Sequence, residues 1–467
     1  MNFISLSAKT LVAILTDAKQ LIQIEYMKCL VVIFILIFSV SKLFGQNPAQ
    51  NIITYDIDNF WEAYDKIITT KDSVKQYEYL NKTFIEKGSP GLKAIMEARS
   101  YTAESYIDAI NNYPLFWNSI RPNTLKAIEF AEYINADIDK IRKIYPSLKP
   151  SKIYFTIGAF RTPGTTLDGM VLIGSEIAMA DENTVVSEFS NRMGYLKTYF
   201  KTNPIKNVSF GNTHEYVHTQ QKTTIGDNLL AQSVLEGVAE FVAVLGTGKA
   251  STAPAIGYGR KHENQVRDKF SIQMFNSFTG FWLYNDAENE FNNIRDLGYY
   301  VGYAICEKYY AKVIDKQQAI KKMIELDYNN EIALGKFVDE SGYFNTPIRK
   351  LKKRFNKNRP TVIKLLQFKN GDKNVNPNLN ELTIEFSQPI DECCRSFELG
   401  ELGQDNLLKI KKFVGFSADK KSVTFEIELK PNQHYQIIVG SGFRSNNTDN
   451  ISLRPYLIDF KTAIKQQ

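Results

Sequence analysis

Two of the four histidines in this 467-residue chain lie within five residues, in the order His214-Glu215-Tyr216-Val217-His218. On a helix, positions i and i+4 share a face, so both imidazoles can reach one ion. Zinc (Zn2+) accepts imidazole nitrogen in a tetrahedral shell, and a catalytic zinc keeps one position open for water. Glu215, between the two ligands, is placed to take a proton from that water as general base. The pattern therefore predicts a zinc-binding helix with hydrolytic chemistry.

Such a site needs a third ligand. A metzincin would continue with Gly three residues after His218 and His three beyond that, but Gln221 and Thr224 stand there. A cysteine ligand from upstream is excluded, because only Cys29 precedes the motif and it belongs to an N-terminal apolar segment. What remains is a carboxylate from a following helix. The segment SVLEGVAEFVAVL supplies Glu236, eighteen residues beyond His218, and Glu240 one turn later on the same face. Glu240 is expected either to hold a ligand histidine by its other ring nitrogen or to substitute as ligand. Tyr299 and Tyr303 share one face of the segment at 297–310, and a hydroxyl there is a candidate donor to a tetrahedral oxyanion. His262 is an alternative donor, and His434 lies far along the chain.

These residues need elements to position them. Residues 55–149 show helical apolar spacing. The texture changes at Pro150: residues 152–160 and the segment DGMVLIGSEI read as strands around the turn RTPGTT. Helices are expected at 183–202, around His214, and at 228–245, 296–312 and 315–326. A basic run, RKLKKRFNKNR, is closed by Pro360 and reads as a solvated helix end and linker. Beyond it, VIKLLQF, ELTIEF, SVTFEIEL, HYQIIVG and LIDFKT alternate with turn signals, as in a β-sandwich. The expected fold class is α+β: a mostly helical domain with a small sheet at 151–348, preceded by a helical layer at 46–150. A linker at 349–360 and an all-β sandwich at 361–467 follow.

The composition, 43% hydrophobic and 23% charged, excludes a disordered or collagen-like chain. The net charge of +6 is too small to mark a nucleic-acid binder. Four cysteines make no disulfide framework, and Cys393 and Cys394 are expected as two buried thiols at a strand end. Met27-Lys28 followed by LVVIFILIFSV and a small residue at Gly45 reads as a secretory signal, with translation starting at Met27, residues 1–26 an upstream extension and residues 27–45 removed. The alternative is an uncleaved N-terminal anchor. Export is the expectation: periplasmic, cell-surface or secreted, with no integral membrane domain left after signal removal.

His-Glu-Tyr-Val-His followed by a helix carrying Glu-Gly-Val-Ala resembles the gluzincin metallopeptidases. Over residues 55–310, the chain is similar to a bacterial family of predicted zinc-dependent proteases. The features carrying that likeness are DIDNFWEAYD, TIGAF…PGTT, the HExxH, EGVAE and GYYVGYAICEKYY. The resemblance implies zinc on His214, His218 and Glu236, Glu215 as base, and a Tyr at the oxyanion. It also implies a peptide or protein substrate lying along an exposed edge strand, here residues 170–176, with Gly164 and Gly169 allowing close approach. Asp168-Gly169-Met170-Val171-Leu172 lacks the acid of the aminopeptidase Gly-x-Met-Glu-Asn segment, which argues against aminopeptidase action. Residues 361–467 resemble the bacterial immunoglobulin-like domains of cell-envelope proteins, which implies a spacer or envelope contact. Two other readings stay open: an envelope binding or adhesion protein with an inactive or structural zinc site, and a zinc hydrolase of non-peptide amides.

Overall fold

The helix Leu229–Thr247 is apolar nearly all round, and a helix of that kind must be buried. Asn228 caps its start by accepting the Ala231 N–H, and Gly248 ends it in the left-handed conformation, φ 71°. By length and composition it would cross a bilayer, yet 83% of it is buried inside the protein. It is a core helix, and it carries Glu236 and Glu240. Ala131–Ile144, Val208–His218 and Leu297–Lys312 pack closely against it, and Lys316–Ile324 touches it more lightly. In this computed structural model residues 51–285 and 289–464 are described. Met27 and the apolar run at 30–40 lie outside the described residues. Ile53–Gln467 forms one compact unit.

The contact between Leu229–Thr247 and Leu297–Lys312 is close enough to demand glycine. A Cβ on Gly302 would stand 1.8 Å from the Ser233 carbonyl oxygen, and one on Gly237 would stand 2.1 Å from the Gly302 carbonyl carbon. Both obstacles are backbone and neither can turn aside. Gly302→Val is therefore expected to lower stability by about 1–3 kcal/mol or more, read as a lower urea midpoint.

The helical lead-in builds an aromatic core. Phe60, Trp61 and Tyr64 from Tyr55–Ile67 meet Trp117 from Pro114–Thr124, with Phe60 and Trp117 ring centroids 4.9 Å apart. Against this layer lies a four-stranded sheet of β1 (Ile153–Thr156), β2 (Gly164–Leu167), β3 (Met170–Gly174) and the two-residue strand Ile52–Ile53, which flanks β1. β1 pairs parallel with β3, and β2 pairs antiparallel with β3 on its other side. β2 is thus one edge of the sheet, and Ile52–Ile53 is the other. The expectation that residues 170–176 form an edge is corrected: β3 is interior and buried, and Ser175–Ala178 turns into a helix. The expected helix at 183–202 shrinks to Gly194–Phe200. Upstream of it, Asp181 accepts from the Asn183 N–H and the Thr184 hydroxyl, local bonds that compete with a helix.

Glu176 anchors the loop between β1 and β2. Its buried carboxylate accepts the N–H groups of Gly158 (2.8 Å) and Phe160 (3.1 Å). Burial nonetheless pushes its pKa up to about 7. The folded protein then holds a proton that the unfolded chain releases at its ordinary, lower value. The contribution is complete below that ordinary value and fades as pH rises through about 7. It amounts to at most about 3–4 kcal/mol. Urea midpoints taken from pH 4 to 8 should fall for the parent, and Glu176→Gln should lack that part of the slope.

The expected linker is a helix, Ile348–Asn358, with Leu351 and Phe355 buried and its flank against Glu331–Ser341. Beyond it run β4 (Val362–Leu365), β5 (Glu381–Phe386), β6 (Phe397–Glu398), β7 (Lys409–Phe416), β8 (Ser422–Glu428), β9 (His434–Val439) and β10 (Tyr456–Lys461). They form one sheet in the order β4-β5-β8-β7 and a second in the order β10-β9-β6. Ile384, Phe425, Ile437 and Phe460 meet in a common core. β7 was not expected: KIKKFVGF is largely exposed and charged, which suits a sheet edge. Cys393 is exposed and Cys394 half-buried in the turn before β6, and both sulfurs accept from the Arg444 guanidinium. That corrects the expected pair of buried thiols.

This β module is not loosely tethered. Asn276 donates to the Asn450 carbonyl (3.1 Å) and accepts the Ser452 N–H (2.9 Å), and Gln273 donates to the Asp449 carbonyl (2.8 Å). Arg444 lies over the rings of Phe278 and Phe281. The module therefore abuts the segment that leads to Tyr284.

Candidate metal centre

The helix Val208–His218 presents His214 and His218 on one face, one turn apart, and both are buried. Glu236 reaches them from Leu229–Thr247. One ligand atom from each of the three residues lies within 4.8 Å of the others. His218 Nε2 is 3.1 Å from His214 Nε2 and 3.1 Å from Glu236 Oε2, and His214 Nε2 is 3.5 Å from the same oxygen. Ligands about 2.0–2.1 Å from a tetrahedral zinc stand about 3.3 Å apart, so the spacing fits that ion.

The surroundings fix which atoms face the centre. His214 Nδ1 is 2.9 Å from Glu240 Oε2, and His218 Nδ1 is 2.6 Å from Gln221 Oε1. Each acceptor draws the ring proton to Nδ1 and turns an Nε2 lone pair inward. Glu236 Oε1 is likewise engaged, accepting from the Tyr284 hydroxyl (2.6 Å) and from Gln232 Nε2 (3.0 Å). That leaves Oε2 for the centre. Two imidazole lone pairs and a carboxylate oxygen converge on one point, a donor set that calls for a cation.

The electrostatics carry the same message. Burial lowers the His214 pKa, but hydrogen bonds to Glu236 and Glu240 outweigh it and lift the value to about 10. Burial raises the Glu236 carboxyl, and the charge and hydrogen bonds of the two histidines overcome this and hold it well below the ordinary range.

Glu215 stands beside this group, half-buried, with its carboxylate against β2. A Cβ on Gly164 would meet Glu215 Oε1 at 2.9 Å, so the glycine makes room for the base. Burial raises the Glu215 carboxyl, with the histidines opposing. Among the tyrosines, the ring of Tyr299 stacks near that of His214, centroids 6.0 Å apart and planes at 25°. Burial and the charge of Glu236 push its hydroxyl well above the ordinary value and keep it a donor. Tyr303 is placed elsewhere: it packs on Phe241 and lies under the Arg260 guanidinium. His262 sits at a helix junction stacked on Tyr258, and His434 bonds Asp459 in the β module.

Sequence reading brought together His214, Glu215, His218, Glu236, Glu240 and Tyr299 but missed the outer partners. Gln221 lies one turn beyond His218, where a bond to its ring is sterically natural. It is itself anchored, donating to the Leu235 carbonyl (3.0 Å) and the Tyr328 hydroxyl (2.8 Å). Ser251 donates to Glu240 Oε1. Tyr284 arrives on a loop with φ 58°, 48 residues from Glu236, and no local signal marks it.

No protein-family model matches the chain, and no curated protein matches it. Among solved structures, the crystal structure of the S-layer protein rSbsC(31-844) aligns with 87% of this chain at 11% identity and a TM-score of 0.17. The chain spans 45% of the length of that protein, and a likeness this low carries no argument about fold or function.

Proposed function

We propose that this protein is a single-zinc hydrolase of the gluzincin type, acting on peptide bonds. The observation that carries the reading is the convergence of His214 Nε2, His218 Nε2 and Glu236 Oε2 at 3.1–3.5 Å, with each residue's second polar atom already engaged. Among the described residues the donor group numbers three, and a structural zinc is closed by four protein ligands. Three favours a catalytic site over an inert one. A zinc held there supplies an acidified water and a Lewis acid for the scissile carbonyl. Glu215 takes the water's proton on its carboxylate and passes it to the leaving amine. Tyr299 donates its hydroxyl to the developing oxyanion. The β2 edge beside Glu215 offers backbone groups to an extended peptide. The two packed sheets at 361–467 support an immunoglobulin-like sandwich, and the N-terminal apolar run supports export to the envelope.

The deciding experiment is metal analysis of residues 46–467. About one zinc per chain is expected, lost in His218→Ala and in Glu236→Ala. Gln221→Ala and Glu240→Gln should keep the ion but bind it about 10–100-fold more weakly, by competition with a chelator. A folded parent that takes up no zinc from excess metal would refute the reading.

A further inference from the structure

The helix Ile348–Asn358 has no part in the metal centre, yet it and Arg359 hold seven Lys and Arg and no carboxylate. That exceeds the +6 of the entire chain, so the rest of the protein is slightly acidic. The cations are not scattered. At about 100° per residue, Arg349, Lys353, Lys357, Lys350 and Arg354 fall within an arc of about 140°, opposite the buried Ile348, Leu351 and Phe355. All five are exposed, and among the described residues none of the five is in an ion pair within 4 Å. Lys352, outside the arc, is neutralised by Glu331, and Arg359 is turned inward onto the Ser452 and Leu453 carbonyls. Asp339 accepts the Ile348 N–H at the other end (2.9 Å), so the stripe is held rigidly.

Beside the stripe runs a groove of about 970 Å³ between this helix and Glu331–Ser341. Arg349 and Lys353 stand on one wall, and Ile332, Gly335 and Ile348 give it apolar surface. The groove's three carboxylates are already engaged: Glu331 pairs with Lys352, Glu340 with Lys322 and Lys336, and Asp339 accepts the Ile348 N–H. Ile332 is 85% exposed.

We propose that this face docks the protein on an anionic lipid surface, with lipid phosphates on the five cations and Ile332 against acyl chains. Charge complementarity requires an anionic partner, and the apolar wall next to Arg349 and Lys353 selects one with hydrocarbon beside its phosphate. A soluble polyanion would leave Ile332 unused. The proposal does not depend on the metal centre.

The test is flotation of residues 46–467 with vesicles of phosphatidylcholine alone or mixed with phosphatidylglycerol. This chain keeps the whole compact unit and omits the apolar run at 30–40, which would bind vesicles by itself. Binding should require phosphatidylglycerol and weaken with salt. Each cation near an anionic surface is worth roughly fivefold in partitioning, so the triple variant Lys350→Gln, Arg354→Gln, Lys357→Gln should bind about a hundredfold more weakly. Ile332→Ser should weaken binding while leaving the salt dependence in place. These substitutions are on the surface, and an unchanged thermal midpoint shows that the fold persists. No selectivity for phosphatidylglycerol, an unaffected triple variant, or equal competition by soluble polyphosphate would each overturn the proposal.

Discussion

Glu215→Gln is expected to give a folded protein that keeps its zinc and loses hydrolysis by about 10²–10⁴-fold. The substitution preserves shape and removes the capacity to accept a proton. The zinc should stay because the converging donors are His214, His218 and Glu236, and Glu215 stands outside that set, against Gly164. Separating metal content from turnover is what makes the result informative. A structural or adhesive site would hold its ion equally in both proteins and hydrolyse nothing in either. A second variant probes the same group through the backbone. Gly164→Val brings a Cβ to 2.9 Å from Glu215 Oε1 and methyls beyond it, which must push the carboxylate aside, so it should lower kcat with metal retained. Turnover of Glu215→Gln within a few-fold of the parent, against a peptide library the parent cleaves, would remove the base from the mechanism.

What could be read from the sequence and what could not divides along physical lines. His214, Glu215 and His218 were legible because helix periodicity alone puts them on one face. Glu236 and Glu240 followed because the site needs a third ligand, and the next helical segment carries two carboxylates one turn apart on one face. Gln221 stood in plain view but was used only to exclude another ligand pattern. Tyr284 depends on a loop held from behind by a β module more than 150 residues later, where Arg444 covers Phe278 and Phe281. Nothing in local sequence encodes that distance.

The sheet failed for a related reason. Alternation identifies strands but not their neighbours, and Gly164-Thr165-Thr166-Leu167 has little apolar content to announce the edge. β7 was hidden by its lysines, the same residues that keep an exposed edge from pairing with another chain. In Ile348–Asn358 the dense charge masked a helical apolar spacing, Ile348, Leu351 and Phe355, that was present all along.

The last choice left open by the sequence was between Tyr299 and Tyr303, and the structure turns it into a measurement. Both lie on Leu297–Lys312, four residues apart, so helix periodicity cannot separate them. Their surroundings do. Tyr299 stacks beside His214, and its hydroxyl is held protonated by burial and by the charge of Glu236. Tyr303 is buried against Phe241 with Arg260 over its ring. A donor that strengthens only as the oxyanion forms acts on kcat and not on substrate affinity. Tyr299→Phe should therefore lower kcat by about 10²–10³-fold with KM little changed. Tyr303→Phe should leave kcat within a few-fold, since it removes a hydroxyl and keeps the packing ring. Tyr284→Phe provides the contrast. Its hydroxyl holds Glu236 Oε1, so its loss should appear as weaker zinc retention and not as a defect in the zinc-loaded protein. If Tyr299→Phe instead behaved like Tyr284→Phe, losing metal and recovering full turnover in excess zinc, Tyr299 would be a positioning residue and the oxyanion donor would have to be another group.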